Sequence, residues 1–191
     1  YEMSASLVGS EMCIRDRRLS ISYIIFIAVK ISIILIRMYY LCIHMEKELQ
    51  ITADGSHTLY IPAMDEHYHS VNGALQESRH IFIEAGLHAL EKDFIRIVEI
   101  GFGTGLNAFL TLKDVELSQA HHIDYHTVEL YPLPLDTIRA LNYGELIWPE
   151  RKELFLALHE AEWNTPVSIS ERFTLHKIEG CLLYTSPSPR D

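Results

Sequence analysis

I-R-I-V-E-I-G-F-G-T-G-L-N, Ile95 to Asn107, runs from a strand through a glycine turn into a helix. Ile95, Ile97, Val98 and Ile100 place β-branched side chains along a strand-length run, which packs well on a pleated surface and reads as a short buried strand. Gly101, Gly103 and Gly105 lack the Cβ that would hinder a sharp turn and a close approach of backbone to ligand. Leu106, Phe109, Leu110 and Lys113 then recur at helical spacing, the first three forming an apolar stripe. A strand, a glycine turn and a helix N-terminus gather amide donors and the positive end of a helix dipole at one point, an arrangement suited to a nucleotide-like ligand.

The dinucleotide fingerprint G-x-G-x-x-G needs a glycine where Leu106 stands, so the pattern here is G-x-G-x-G with Glu99 shortly before it. Tyr125 to Leu130, Y-H-T-V-E-L, is a second strand candidate that carries Glu129 at its end. An acid about twenty or more residues beyond such a loop is placed to accept hydrogen bonds from two ribose hydroxyls. Taken singly, these features also fit a plain tight turn and a solvated strand-end carboxylate.

The chain around this stretch alternates. Ile51 to Pro62 carries the turn signal Asp54-Gly55 between extended pieces and predicts a hairpin. Ala74, Leu75, Ile81, Phe82, Ala85 and Ala89 recur at helical spacing and predict a helix with its apolar face in the core. Pro132 and Pro134 open a further helix with Leu135, Ile138 and Leu141 on one side. Pro149 opens another, with Leu154, Phe155, Leu158 and Ala161 inward and Glu150 to Glu153 as a solvated face. Phe173 to Ile178 is the next strand. This order is that of an α/β domain with a parallel sheet, whose ligands bind at the carboxyl ends of the strands, where the glycine loop and Glu129 both fall. His67 and His69 are metal-ligand types without a clear third partner, so the site is expected to hold no metal.

Between Met45 and Gly180 there are 10 Lys plus Arg against 22 Asp plus Glu, a net charge of −12. That balance argues against a broad nucleic-acid footprint, leaving room for a local cationic patch. Cys13, Cys42 and Cys181 all lie outside this span, which removes disulfides, thiolate metal sites and cysteine nucleophiles from it.

The two ends read differently. Met12-Cys13-Ile14-Arg15-Asp16-Arg17 can be encoded by DNA whose reverse complement, in another frame, encodes Cys181-Leu182-Leu183-Tyr184-Thr185. Complementary coding at both termini points to one sequencing-library adapter translated in both directions, so residues 1–17 and 181–191 are set aside from fold reasoning. Ile21 to Ile36 is apolar enough to resemble a membrane span. Lys30 at its centre costs about 2.5 to 3.5 kcal/mol, which its eight isoleucines offset at about 0.3 to 0.6 each. Its composition is that of translated AT-rich DNA ahead of Met45, so residues 18–44 are expected to be upstream sequence, with a membrane segment as the alternative.

Four blocks now stand in order: T-A-D-G-S-H-T-L-Y (Thr52 to Tyr60), Y-H-S-V-N-G-A-L-Q-E-S-R-H-I-F-I (Tyr68 to Ile83), E-I-G-F-G-T-G-L-N (Glu99 to Asn107) and E-L-Y-P-L (Glu129 to Leu133). Together they resemble the MnmC-type methyltransferase domain, a class I S-adenosylmethionine-dependent family that makes 5-methylaminomethyl-2-thiouridine at the wobble position of tRNA. The resemblance implies a Rossmann-like α/β fold over residues 45–180, N-terminal part only, with a mostly parallel sheet, flanking helices and a preceding hairpin. It implies S-adenosylmethionine as cofactor, tRNA as partner, a flavin-dependent oxidoreductase in the same pathway, fused in some members, and a cytoplasmic location. It places Glu99, Gly101, Phe102, Gly103, Thr104, Gly105 and Asn107 around the methionine part of the cofactor, Glu129 at the ribose, and Tyr68, Ser70 and Glu77 near cofactor or substrate.

Methyl transfer to an amine needs little covalent help. The nitrogen attacks a sulfonium methyl in line, so positioning and a deprotonated amine supply the catalysis. The family places an acid for this in a D-x-F-x-P segment that residues 45–180 do not contain, so the domain is expected to be C-terminally truncated and these 191 residues inactive. Three rivals stand beside this reading: a class I methyltransferase with another acceptor, a non-catalytic nucleotide-binding or membrane-anchored module, and a nicotinamide dehydrogenase, against which Leu106 counts.

Overall fold

The structure, a computed structural model, describes residues 46–180. The adapter, upstream and membrane-segment readings of residues 1–44 and 181–191 fall outside the described residues.

An antiparallel hairpin comes first. β1 (Glu48–Ile51) pairs with β2 (His57–Ile61), Ile51 lying opposite His57, and a short β3 (Glu66–His67) adds to the far edge of β2. The turn is held by Asp54, whose carboxylate accepts from the Ser56 amide at 3.0 Å and from the Gln76 amide at 2.8 Å, so the hairpin turn also fixes the start of the next helix.

That helix departs from expectation. The 74–89 pattern breaks into α1 (Ala74–Ser78), a π-helical turn (Arg79–Glu84) and a 3-10 turn (Leu87–Ala89). The change of winding re-aims the side chains: Ala74, Ile83 and Leu87 are buried, while Ile81 is 54% exposed. π-helical turns inside helices often occur at functional sites, and this one carries Ile81 and Phe82 to the rim of a cavity.

β4 (Phe94–Ile100), β5 (His122–Glu129) and β7 (Phe173–Glu179) form a parallel sheet in that order, and β6 (Pro166–Ser168) pairs antiparallel with the outer edge of β7. Between β4 and β5 runs α2 (Leu106–Ser118), followed after β5 by α3 (Leu135–Ala140), α4 (Tyr143–Ile147) and, beyond a 3-10 turn at Pro149–Arg151, α5 (Glu153–Glu160). α2 buries more than a stripe, for Leu106, Ala108, Phe109, Leu110, Thr111, Leu112 and Val115 are all covered. Phe109 packs at tilted angles against Trp148 and Phe155, and Tyr143 packs edge-on to Phe155.

The sheet is covered on one face only among the described residues. Ile95, Glu99, Tyr125, Thr127, Phe173, Leu175 and Lys177 point to the buried face. Val98 and Ile100 point the other way and are 66% and 62% exposed, so the strand read from sequence as fully buried is buried on one side. The proline-led helix after β5 is two short helices, with Ile138 and Leu141 buried as expected and Leu135 exposed.

Candidate functional site

A cavity of about 550 Å³ opens where the carboxyl ends of β4 and β5 meet the glycine loop, closed on its other side by the segment from Tyr68 to Phe82. Glu99, Gly101, Phe102, Gly103, Thr104, Asn107 and Glu129 line it from the sheet side, and Tyr68 and Glu77 from the other. Gly105 and Ser70 do not line it. Gly105 is instead structural: it caps α2 at φ 71°, and a Cβ there would stand 2.6 Å from His159 Nε2. Ser70 serves the wall, since its amide donates to Glu77 Oε2 at 3.1 Å and thereby orients that carboxylate.

The glycine loop turns because its backbone visits the left-handed region. Gly103 has φ 51° and lies under the Tyr68 ring, which an added Cβ would meet at 3.3 Å. Tyr68 is held by its own amide, which donates to the Leu59 carbonyl at 2.9 Å. The hairpin thus sets the height of the roof over the loop.

Two acids of the cavity differ in character. Glu129 is half-buried at the end of β5, and its carboxylate accepts from the Gly103 amide at 2.9 Å and the Tyr131 amide at 2.8 Å. Glu99 is 7% exposed on the buried face of β4, and burial pushes its carboxyl up to about 7. Asn107 Nδ2 donates to its Oε1 at 3.0 Å, and the nearby Tyr125 and Thr127 hydroxyls pull the value back only in part. Glu99 Oε2, Asn107 Oδ1 and the Tyr125 and Thr127 hydroxyls have no partner at hydrogen-bonding geometry. Glu99 and Asn107 both line the cavity, and a buried carboxyl near neutrality there suits a polar, cationic guest.

His67 and His69 part company. His67 Nε2 lies 3.0 Å from Gln50 Oε1, whereas His69 lines the cavity with Nε2 2.7 Å from Thr104 Oγ1. Burial lowers the His69 pKa below the ordinary imidazole value, with Glu77 opposing. Among the described residues no group of three or more His, Cys, Asp or Glu could hold a metal ion.

Beneath the loop lies a layer that sequence reasoning missed. Phe102 packs on His159 and Trp163 at ring distances of 5.0 and 6.3 Å. The Lys177 ammonium, on a residue that exposes no surface, sits 4.5 Å from the Trp163 ring and 5.5 Å from Phe102 and donates to the His159 carbonyl at 2.6 Å. Burial lowers Lys177 to about 8, and burial together with the Lys177 charge lowers His159 to about 3, so the histidine is neutral. A lone histidine in α5 and a lysine in a strand give no local sign of such a role, because their partners lie far along the chain.

No family model matches the chain. The tRNA 5-methylaminomethyl-2-thiouridine biosynthesis bifunctional protein MnmC of Methylobacillus flagellatus is 34% identical over 99 residues, covering 48% of this chain and 15% of that protein. The protein of the same name from Paraburkholderia xenovorans is 27% identical over 135 residues, covering 67% of this chain and 20% of that protein. Among solved structures, MnmC2 from Aquifex aeolicus superposes with a TM-score of 0.59 at 28% identity, covering 74% of this chain and 45% of that one. The chain therefore spans a fifth or less of these two curated relatives and under half of the solved chain. These likenesses support an MnmC-type methyltransferase domain with a Rossmann-like fold.

Proposed function

We propose that residues 45–180 are the cofactor-holding part of an S-adenosylmethionine-dependent methyltransferase that acts on the aminomethyl group of a modified wobble uridine in tRNA. The observation that carries the reading is the convergence of Glu99, the glycine loop, Asn107 and Glu129 on one cavity at the carboxyl ends of β4 and β5. Glu129 is set to take the ribose hydroxyls once it releases the Gly103 amide. Glu99 and Asn107 face the methionine part, where the cofactor's positive charges favour an ionised carboxylate. Tyr68 and Glu77 form the wall opposite, where the acceptor amine would approach in its deprotonated form.

The relatives' names carry tRNA 5-methylaminomethyl-2-thiouridine biosynthesis, and by that likeness tRNA is the partner proposed. A flavin-dependent oxidoreductase of the same pathway and a cytoplasmic location are proposed from the motif resemblance alone. No helix among the described residues is long and apolar enough to cross a membrane. The same reading takes residues 1–17 and 181–191 as translated adapter and 18–44 as upstream sequence, which the complementary coding of the two ends supports.

Calorimetric titration of the chain with S-adenosylmethionine and, in parallel, with NAD tests the cofactor. Binding of the first alone is expected, and binding of NAD alone would overturn the reading. Incubation with methyl-labelled cofactor and tRNA bearing the aminomethyl group tests the acceptor: binding without turnover is expected of these 191 residues, and label on unmodified tRNA would overturn the acceptor class.

A further inference from the structure

Thr104, at the centre of the glycine loop and 1% exposed, is gripped from two sides by histidines that lie outside the glycine pattern. His159 Nε2 donates to its carbonyl at 3.1 Å, and His69 Nε2 meets its hydroxyl at 2.7 Å. The second contact joins parts of the chain 35 residues apart. His69 is itself immobilised, for its amide donates to Thr58 Oγ1 at 3.0 Å and the Thr58 hydroxyl lies 3.2 Å from its carbonyl. Thr58 exposes no surface in β2. A continuous path of partly buried hydrogen bonds therefore runs from the hairpin through His69 to the loop that faces the cavity.

We propose that His69 is a positioning residue of the cofactor loop: through Thr104 it fastens the loop to the hairpin in the conformation that accepts the ligand. The proposal rests on the reading of the cavity as a cofactor site. A loop with glycines at φ 87°, 51° and 71° has many conformations to lose, and a bond that fixes it beforehand spares the ligand that ordering cost. Without the bond, the buried Thr104 hydroxyl keeps the Tyr143 hydroxyl beside it but loses its tie to the hairpin segment.

The test uses the whole chain with S-adenosylmethionine as probe and His69→Phe, His69→Gln and Thr104→Val as variants. His69→Phe fills the volume without the bond and should weaken binding about tenfold, the effect of one hydrogen bond. His69→Gln places an amide about where Nε2 lies and should restore affinity to within about threefold of the parent. Thr104→Val, close in shape, should weaken binding as His69→Phe does, and the two changes together should cost no more than either alone. Hydrogen exchange of the Gly103 and Thr104 amides gives a readout that needs no cofactor: faster in His69→Phe, unchanged in His69→Gln. If His69→Phe does not fold, Thr104→Val alone decides by affinity and exchange. Parent-like binding and exchange in these variants would overturn the proposal. Failure of the parent itself to bind S-adenosylmethionine would overturn the cofactor reading and leave the exchange result to judge the tether.

Discussion

Replacing Glu99 by Gln separates what this carboxyl does for stability from what it does for the ligand. Unfolded, it titrates near 4.5; folded, burial holds it at about 7. Between those values the folded chain keeps a proton that the unfolded chain has released, so stability falls as pH rises through that window. At about 1.36 kcal/mol per pH unit, the distance from 4.5 to about 7 amounts to about 3 kcal/mol, lost in full above pH 7. Glu99→Gln removes the charge while keeping an acceptor for Asn107 Nδ2 and for the neighbouring Thr127 and Tyr125 hydroxyls. The variant should therefore melt roughly 10 °C higher than the parent at pH 8 and nearly level with it at pH 5. Binding responds in the opposite sense. A cationic cofactor selects the ionised carboxylate, which is about a tenth populated at pH 6 and about nine-tenths at pH 8, so parental affinity should rise about tenfold across that range with proton release. In Glu99→Gln the affinity should be lower and flat with pH. Melting curves at both pH values, with titration calorimetry in buffers of differing ionisation enthalpy, measure all of this. A melting difference independent of pH, or an affinity that falls as pH rises, would refute the reasoning.

Other expectations follow from the same geometry. Gly105→Ala forces a Cβ against His159 and should destabilise by more than about 2 kcal/mol, while Gly101→Ala, with open space around its Cβ, should cost only about 1 kcal/mol for its positive φ; chemical denaturation ranks the two. Lys177 titrates lower folded than unfolded, so between about 8 and 10.5 the unfolded chain binds more protons and stability rises with pH. The stability difference between the parent and Lys177→Met should shift by about 3 kcal/mol in favour of the parent across that window, measured by denaturant titration at its two ends. Glu129→Gln should weaken S-adenosylmethionine roughly 10- to 100-fold through loss of charge-assisted hydrogen bonds to the ribose, read by calorimetry, with little change in melting temperature.

Local signals carried the sheet and the loop. The β-branched run at Ile95 to Ile100, the three glycines and the Asp54-Gly55 turn each declare their structure through their own backbone preferences, and each element stands where the pattern put it. What failed to show depended on distant partners. The helical spacing from Ala74 to Ala89 gave no sign of the π-helical turn, which packs against α2, a partner distant in sequence. Tyr143 to Ile147 forms its own helix because Tyr143 is pulled inward, its hydroxyl donating to the His57 carbonyl at 2.5 Å. Alternation in β4 could not reveal that Val98 and Ile100 face outward, since a run apolar on both faces reads the same whether one side or two are covered. In the cavity, the lining by Gly103 and Glu129 was legible from the glycine pattern and the strand end, whereas the contacts of His69, His159 and Lys177 come only from partners brought by the fold.

The most direct measurement follows the backbone amides of the chain by NMR as S-adenosylmethionine is added. In the free protein the Gly103 amide donates to Glu129 Oε2 at 2.9 Å. The cofactor is expected to take Glu129 for its ribose, so the Gly103 and Tyr131 amides shift together with those of Gly101 and Thr104, while residues of α3 and α4 stay in place. A folded chain whose loop amides do not move at millimolar cofactor, or move for NAD instead, would contradict it.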